Sequence, residues 1–160
     1  MPGRWYEEFS VGQVFEHPIR RTVTESDNTW FNGATLNPAA LHIDAEYCKG
    51  TEFGQPLVNS LFTLGLVIGL SVHDTTFGTT VANLGMTDTR FPKPVFHGDT
   101  IHVRTTVKEL RDSRSRPNAG LVTFLHQGFN QRDEEVCTTL RQALMLRRPA
   151  AATAGPERTA

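Results

Sequence analysis

Pro56-Leu57-Val58-Asn59-Ser60-Leu61-Phe62-Thr63-Leu64-Gly65-Leu66-Val67-Ile68-Gly69-Leu70-Ser71-Val72 is the stretch that decides the fold. Leucine, valine and isoleucine fall on every side of a helix drawn through it, and a helix apolar all round is enclosed by protein. Asn59, Ser60, Thr63 and Ser71 interrupt the run, which is too short and too polar to span a bilayer. Pro56 suits a helix start, where its fixed φ and missing N–H do no harm. A buried helix is therefore predicted from Leu57 to Val72. Gly65 and Gly69, four residues apart, mark the side along which a sheet can approach closely.

Downstream of this helix the pattern changes to strands. Thr79 to Phe91 is rich in threonine, with Gly85 interspersed. From Thr100 to Leu110 the alternation is clean, with Ile101, Val103, Thr105 and Val107 on one face and His102, Arg104, Thr106 and Lys108 on the other. The polar run 111–120 connects to a strand over Leu121 to Asn130, and Glu135 to Arg147 is the last strand. Upstream, Val14 to Ile19 reads as a short strand that 20–23 can continue. Thr24 and Asp27 have the spacing of a capping box ahead of a short helix, with Trp30 and Phe31 as its apolar face and Gly33 near its end. Ala34 to Asp44 has no clear period, and Ala45 to Lys49 can form one helical turn. One helix followed by antiparallel strands is most economically an α+β arrangement, a curved sheet wrapped around the helix. The open edges of such a sheet predict pairing with a second copy, a homodimer or higher homo-oligomer.

The 160 residues are 38% hydrophobic and 21% charged, which fits one globular domain. That domain is predicted over 1–148, with the Ala-, Thr- and Pro-rich 149–160 as a disordered tail. Sixteen basic and 17 acidic residues give a net charge of -1, so no broad positive field draws nucleic acid or an anionic membrane. Cys48 and Cys137 stand far apart with no CxxC pair, as expected for reduced thiols of a cytoplasmic protein. The first residues carry no apolar leader pattern.

Chemistry has two candidate seats. His42, in Leu41-His42-Ile43-Asp44, can move protons near neutral pH, or it can be a core histidine satisfied by a carbonyl. At Val58-Asn59-Ser60 the first helix amides lack intrahelical partners and carry the positive end of the dipole, so they can steady charge growing on a carbonyl oxygen. His17, His73, His97, His102 and His126 read as structural or solvated. No HExxH, CxxC, GxSxG or glycine-rich phosphate loop is present, so neither a metal nor a cofactor is expected.

Three segments, in order, resemble the MaoC-like (R)-specific enoyl-CoA hydratases over roughly residues 10–148: 37–44 (Asn-Pro-Ala-Ala-Leu-His-Ile-Asp), 53–61 (Phe-Gly-Gln-Pro-Leu-Val-Asn-Ser-Leu) and 91–100 (Phe-Pro-Lys-Pro-Val-Phe-His-Gly-Asp-Thr). The run 57–65 is most similar to the mesaconyl-CoA hydratase, or β-methylmalyl-CoA dehydratase, type. The resemblance implies a hotdog fold and a lyase that reversibly hydrates a short enoyl-CoA, including branched or dicarboxylic ones, with coenzyme A as part of the substrate. It also implies a catalytic group of His42, Asn37 and the Ser60 backbone, with Asn59 and Asp44 binding substrate, Asp44 from a supporting or capping place. In the family an aspartate stands five residues before the histidine; counted from His42 that position is Asn37, which has no proton to exchange near pH 7. Asn37-Pro38 can instead be equated with an Asn-Pro inside the motif if two extra residues precede His42. On the count from His42, that ring must carry the base role alone or borrow a carboxylate. Lys93 and Arg104 are among the basic residues available to coenzyme A phosphates. Two alternatives stay open. One is a hotdog thioesterase, against which stands the lack of Asp or Glu in 57–72; the other is an acyl-CoA binder without activity.

Overall fold

The computed structural model describes residues 3–149. The tail expected to be disordered, apart from Pro149, lies outside them. A short 3-10 turn, Tyr6–Glu8, precedes strands β1 (Val14–Glu16) and β2 (Arg21–Thr22). Then come helices α1 (Glu25–Ala34), α2 (Ala40–Ile43), α3 (Ala45–Cys48) and α4 (Ser60–Thr75), and last the strands β3 (Thr80–Arg90), β4 (Thr100–Asp112), β5 (Ala119–Phe129) and β6 (Glu135–Leu146). The strands form one antiparallel sheet in the order β1-β4-β5-β6-β3, with β2 also paired to β4. This is the predicted α+β hotdog arrangement, with α4 packed on β4, β5 and β6.

The alternation in β4 holds: Ile101, Val103, Thr105 and Val107 are all buried against the helix side. Val67 and Leu70 of α4 meet Val23, Val103, Val136 and Cys137, while Phe9, Phe15, Val122 and Phe124 form a second cluster at the far end. Cys48 and Cys137 are both free and buried; burial pushes the Cys137 thiol up to about 12, helped by Glu135.

Three expectations need correction. Helix α4 begins at Ser60, not Leu57. Leu57 bridges Phe96, and the Val58 amide donates to the Val95 carbonyl at 2.9 Å, so the chain stays extended until Asn59 caps the helix. Nor is α4 enclosed on all sides. Leu61 is 60% exposed, and a β-carbon added at Gly65 or Gly69 would meet nothing within 4 Å. The glycine that permits close approach belongs to the sheet: a β-carbon at Gly128 of β5 would overlap the Val67 side chain. Finally, α1 turns Trp30 outward at 71% exposure, and Phe31 is only half-buried against Phe62. Its buried residues are Asn28 and Asn32. Its start is as predicted: Thr24 accepts from the Asp27 amide, and Asp27 accepts from the Thr24 amide at 2.8 Å. Paired side chain to side chain with Arg21, and hydrogen-bonded by Thr24, the Asp27 carboxyl is held down at about 2.

Candidate active site

The site is assembled where the α2 loop meets the start of α4. Two backbone ties fix the meeting. The Leu57 amide donates to the Leu41 carbonyl at 3.0 Å, and His42 Nδ1 lies 2.9 Å from the Leu57 carbonyl oxygen. A carbonyl only accepts, so in the neutral ring Nδ1 carries the proton and Nε2 keeps its lone pair. The reading of His42 as a histidine satisfied by a carbonyl thus holds for Nδ1, while Nε2 makes no hydrogen bond to the protein among the described residues.

His42 lines a cavity of about 280 Å³ together with Ser60, Val58, Phe53, Thr63 and Val136. The wall is largely apolar, and Lys93 is the one Lys, Arg, Asp or Glu among its described residues. Ser60 is the first residue of α4. Its cap, Asn59 Oδ1, accepts from the next amide, that of Leu61, at 2.9 Å. Among the described residues the Ser60 amide itself donates to no backbone or side-chain group, which leaves a helix-start donor beside the cavity.

The other sequence candidates stand elsewhere. Asn37 Oδ1 accepts from the Ala39 amide at 3.0 Å, and its side chain lines a different cavity with Leu36, Pro38 and Ile43. Asp44 caps α3, accepting from the Tyr47 amide at 2.9 Å, and is exposed. Asn59 is buried, its Nδ2 donating to Asn32 Oδ1 at 2.8 Å. Arg104 pairs with Glu16 and stacks over Phe129, away from the cavity.

Sequence reasoning missed the inward face of α1. Asn28, fully buried, donates through Nδ2 to the carbonyls of His42 (2.9 Å) and Leu57 (3.0 Å) and accepts through Oδ1 from the Asn59 amide (2.9 Å). Asn32 donates to Asn28 Oδ1 at 3.0 Å and accepts from Asn59. The available signal was two asparagines at i and i+4 inside a helix, where asparagine is a poor choice unless its amide has partners.

A sheet wrapped on one central helix, with a histidine loop lodged at that helix's start, defines a hotdog domain. The chain belongs to the MaoC-like domain family, whose model matches residues 8–128. It is 31% identical over 152 residues to the mesaconyl-CoA hydratase of Cereibacter sphaeroides; the match takes in 95% of this chain but 44% of the relative, so the chain spans less than half of that protein's length. A crystal structure of a monoamine oxidase regulatory protein from Archaeoglobus fulgidus superposes with a TM-score of 0.82 at 33% identity, covering 93% of this chain and 98% of that one. A conserved hypothetical protein of Mycobacterium tuberculosis with a double hotdog fold matches at a TM-score of 0.81 and 24% identity, over 99% of this chain and 52% of that one.

Proposed function

We propose that this domain is a hydro-lyase that adds water reversibly across the double bond of a short enoyl-CoA. The observation that carries the reading is that His42, whose Nδ1 is held by a backbone carbonyl, and Ser60, the first residue of α4, line one largely apolar cavity. With the thioester oxygen at the Ser60 amide, negative charge growing there meets the positive end of α4. His42 Nε2 takes a proton from water, the hydroxyl bonds to the β-carbon, and the electron pair of the double bond shifts toward the α-carbon and the thioester oxygen. The imidazolium then returns that proton to the α-carbon, so the sum is one added water. One ring suffices for both transfers, which suits a chain with Asn37 in the place of an acid. Asn37 acts in this scheme through the loop, its Oδ1 holding the turn that presents His42. Asp44 serves likewise from the α3 cap, and Asn59 by ordering the helix start.

The substrates follow from the wall and from the relative. The apolar lining suits a short acyl chain, and Lys93 offers one cation to a terminal carboxylate, as in mesaconyl-CoA. The chemistry asks only for proton transfer and an oriented carbonyl, with coenzyme A arriving as part of the substrate. A thioesterase would need a carboxylate near the thioester. The structure adds Asp74 to α4, but at the far end, bound to His17. Homodimer formation is part of the proposal: β3 is a long edge strand that exposes Val81, Leu84 and Met86. Among the described residues no helix is long and apolar enough to cross a membrane, and with two free thiols we assign the protein to the cytoplasm.

The test is direct. Purified protein mixed with crotonyl-CoA and with mesaconyl-CoA is expected to bleach the enoyl-thioester absorbance without releasing free thiol. Thiol release would instead mark a thioesterase. Tight binding with neither signal would mark a binder without activity.

A further inference from the structure

We infer that Asn28 is a positioning residue for the proposed reaction, a single side-chain amide that sets His42 and the Ser60 end of α4 relative to one another. The inference rests on the proposed hydratase reading for its kinetic consequence, though not for its geometry.

Asn28 lies fully buried on α1, and three backbone contacts leave no freedom in how its amide is turned. Nδ2 faces the His42 and Leu57 carbonyls, which only accept, while Oδ1 faces the Asn59 amide, which only donates. Asn32 Nδ2 adds a second donor to Oδ1 at 3.0 Å, and His97 Nε2 lies 3.2 Å from Nδ2. The Leu57 carbonyl is the same group that accepts the His42 Nδ1 proton. Asn28 thus grips the backbone of the base, the acceptor that fixes its tautomer, and the peptide that leads into the oxyanion amide. No other residue among those described bonds to all three segments. Each has its counterpart in the chemistry: where Nε2 points, whether Nε2 is free of a proton, and where the Ser60 N–H sits.

An amide is required because one end must donate and the other accept. Asn28→Asp keeps the shape but turns two donor hydrogens into acceptors facing two carbonyls, leaving buried groups unsatisfied. A displacement of about 1 Å at a reacting group costs on the order of 100-fold in rate. Asn28→Asp is therefore expected to lower kcat by roughly that factor while KM moves little, since the cavity wall that binds the acyl group is intact.

The experiment pairs kinetics with a spectroscopic reading that needs no turnover. Nitrogen-15 NMR of the His42 ring reports which nitrogen holds the proton. The wild type is expected to show the Nδ1–H form alone, and Asn28→Asp a mixture of both tautomers with kcat reduced and KM retained. Asn28→Ser, which keeps a small donor and acceptor, serves if the aspartate does not fold. A folded variant with an unchanged tautomer and an unchanged kcat overturns the inference. If the wild type hydrates no enoyl-CoA, the hydratase reading fails while the tautomer comparison still decides the role of Asn28.

Discussion

The two ends of α4 each hold a histidine against the sheet or the loop beside it, and they treat it in opposite ways. At the N-terminal end His42 turns Nδ1 to a carbonyl and lines a cavity. About 21 Å away along the helix, at 1.5 Å per residue from Ser60 to Asp74, lies a polar row that is buried except at Asp74. There Asp74 meets His17 Nδ1 at 2.6 Å, His17 Nε2 meets the Thr105 hydroxyl at 2.7 Å, and that hydroxyl meets His126 Nδ1 at 2.8 Å. The row ends on His126 Nε2, which has no partner, with Arg141 Nε and Nη1 equally unpartnered nearby among the described residues. Burial first, then the Arg141 and His17 charges, push the His126 imidazole down to about 3. It is neutral at any working pH and sealed from solutes. The two histidines differ first in what they face: His42 lines an open cavity, whereas His126 is fully enclosed.

That contrast can be broken most sharply by exchanging the effects. His42→Ala is expected to lower enoyl-CoA hydration by about 10²–10⁴-fold, the range of a lost general base. His126→Asn, assayed well below its melting temperature, is expected to leave the rate within about threefold while destabilising the fold by about 1–3 kcal/mol, through the lost Thr105 contact. Equal rate losses in the two variants would erase the distinction between the ends of the helix.

A smaller effect sharpens the same point. Since the folded His126 takes up its proton only near pH 3 and the unfolded one near 6.5, the unfolded state binds more protons between those values. Stability must therefore fall as the pH is lowered from 7 to 5, by at most about 1.4 kcal/mol per unit from this one group. Asp27 does not contribute in that window: its carboxyl is depressed to about 2, so the stability it adds is present above its ordinary value of 3.8 and lost only below it. Urea unfolding of the wild type and His126→Asn at both pH values reads the difference, and the wild type is expected to show the steeper loss.

The sequence carried the frame of the molecule further than its interior. The period of two in β4, with Ile101, Val103, Thr105 and Val107 inward, needed no structure to be seen, because burial on one sheet face is written residue by residue. The start of α4 was less legible. Pro56 and Asn59 are both good openers, and Leu57 and Val58 fit a strand bridge as well as a helix turn; tertiary pairing with Val95 and Phe96 settled the matter. His42 was found from the chemistry of its ring and Ser60 from its place near a helix start, both with the family resemblance, and the structure brings them to one cavity. Asn28 and Asn32 escaped because an apolar face was sought on α1, whereas its neighbours are the bare carbonyls and amides at the start of another helix. Such a surface calls for amides, and hydrophobic periodicity has no means of registering them.

The most direct test of the central claim is the infrared spectrum of a thioester carrying carbon-13 at its carbonyl, bound to the His42→Ala protein so that turnover does not intervene. A carbonyl held at the Ser60 amide is predicted to be polarised, its stretch shifted to lower frequency than in free solution. A bound thioester with the solution frequency would contradict the account.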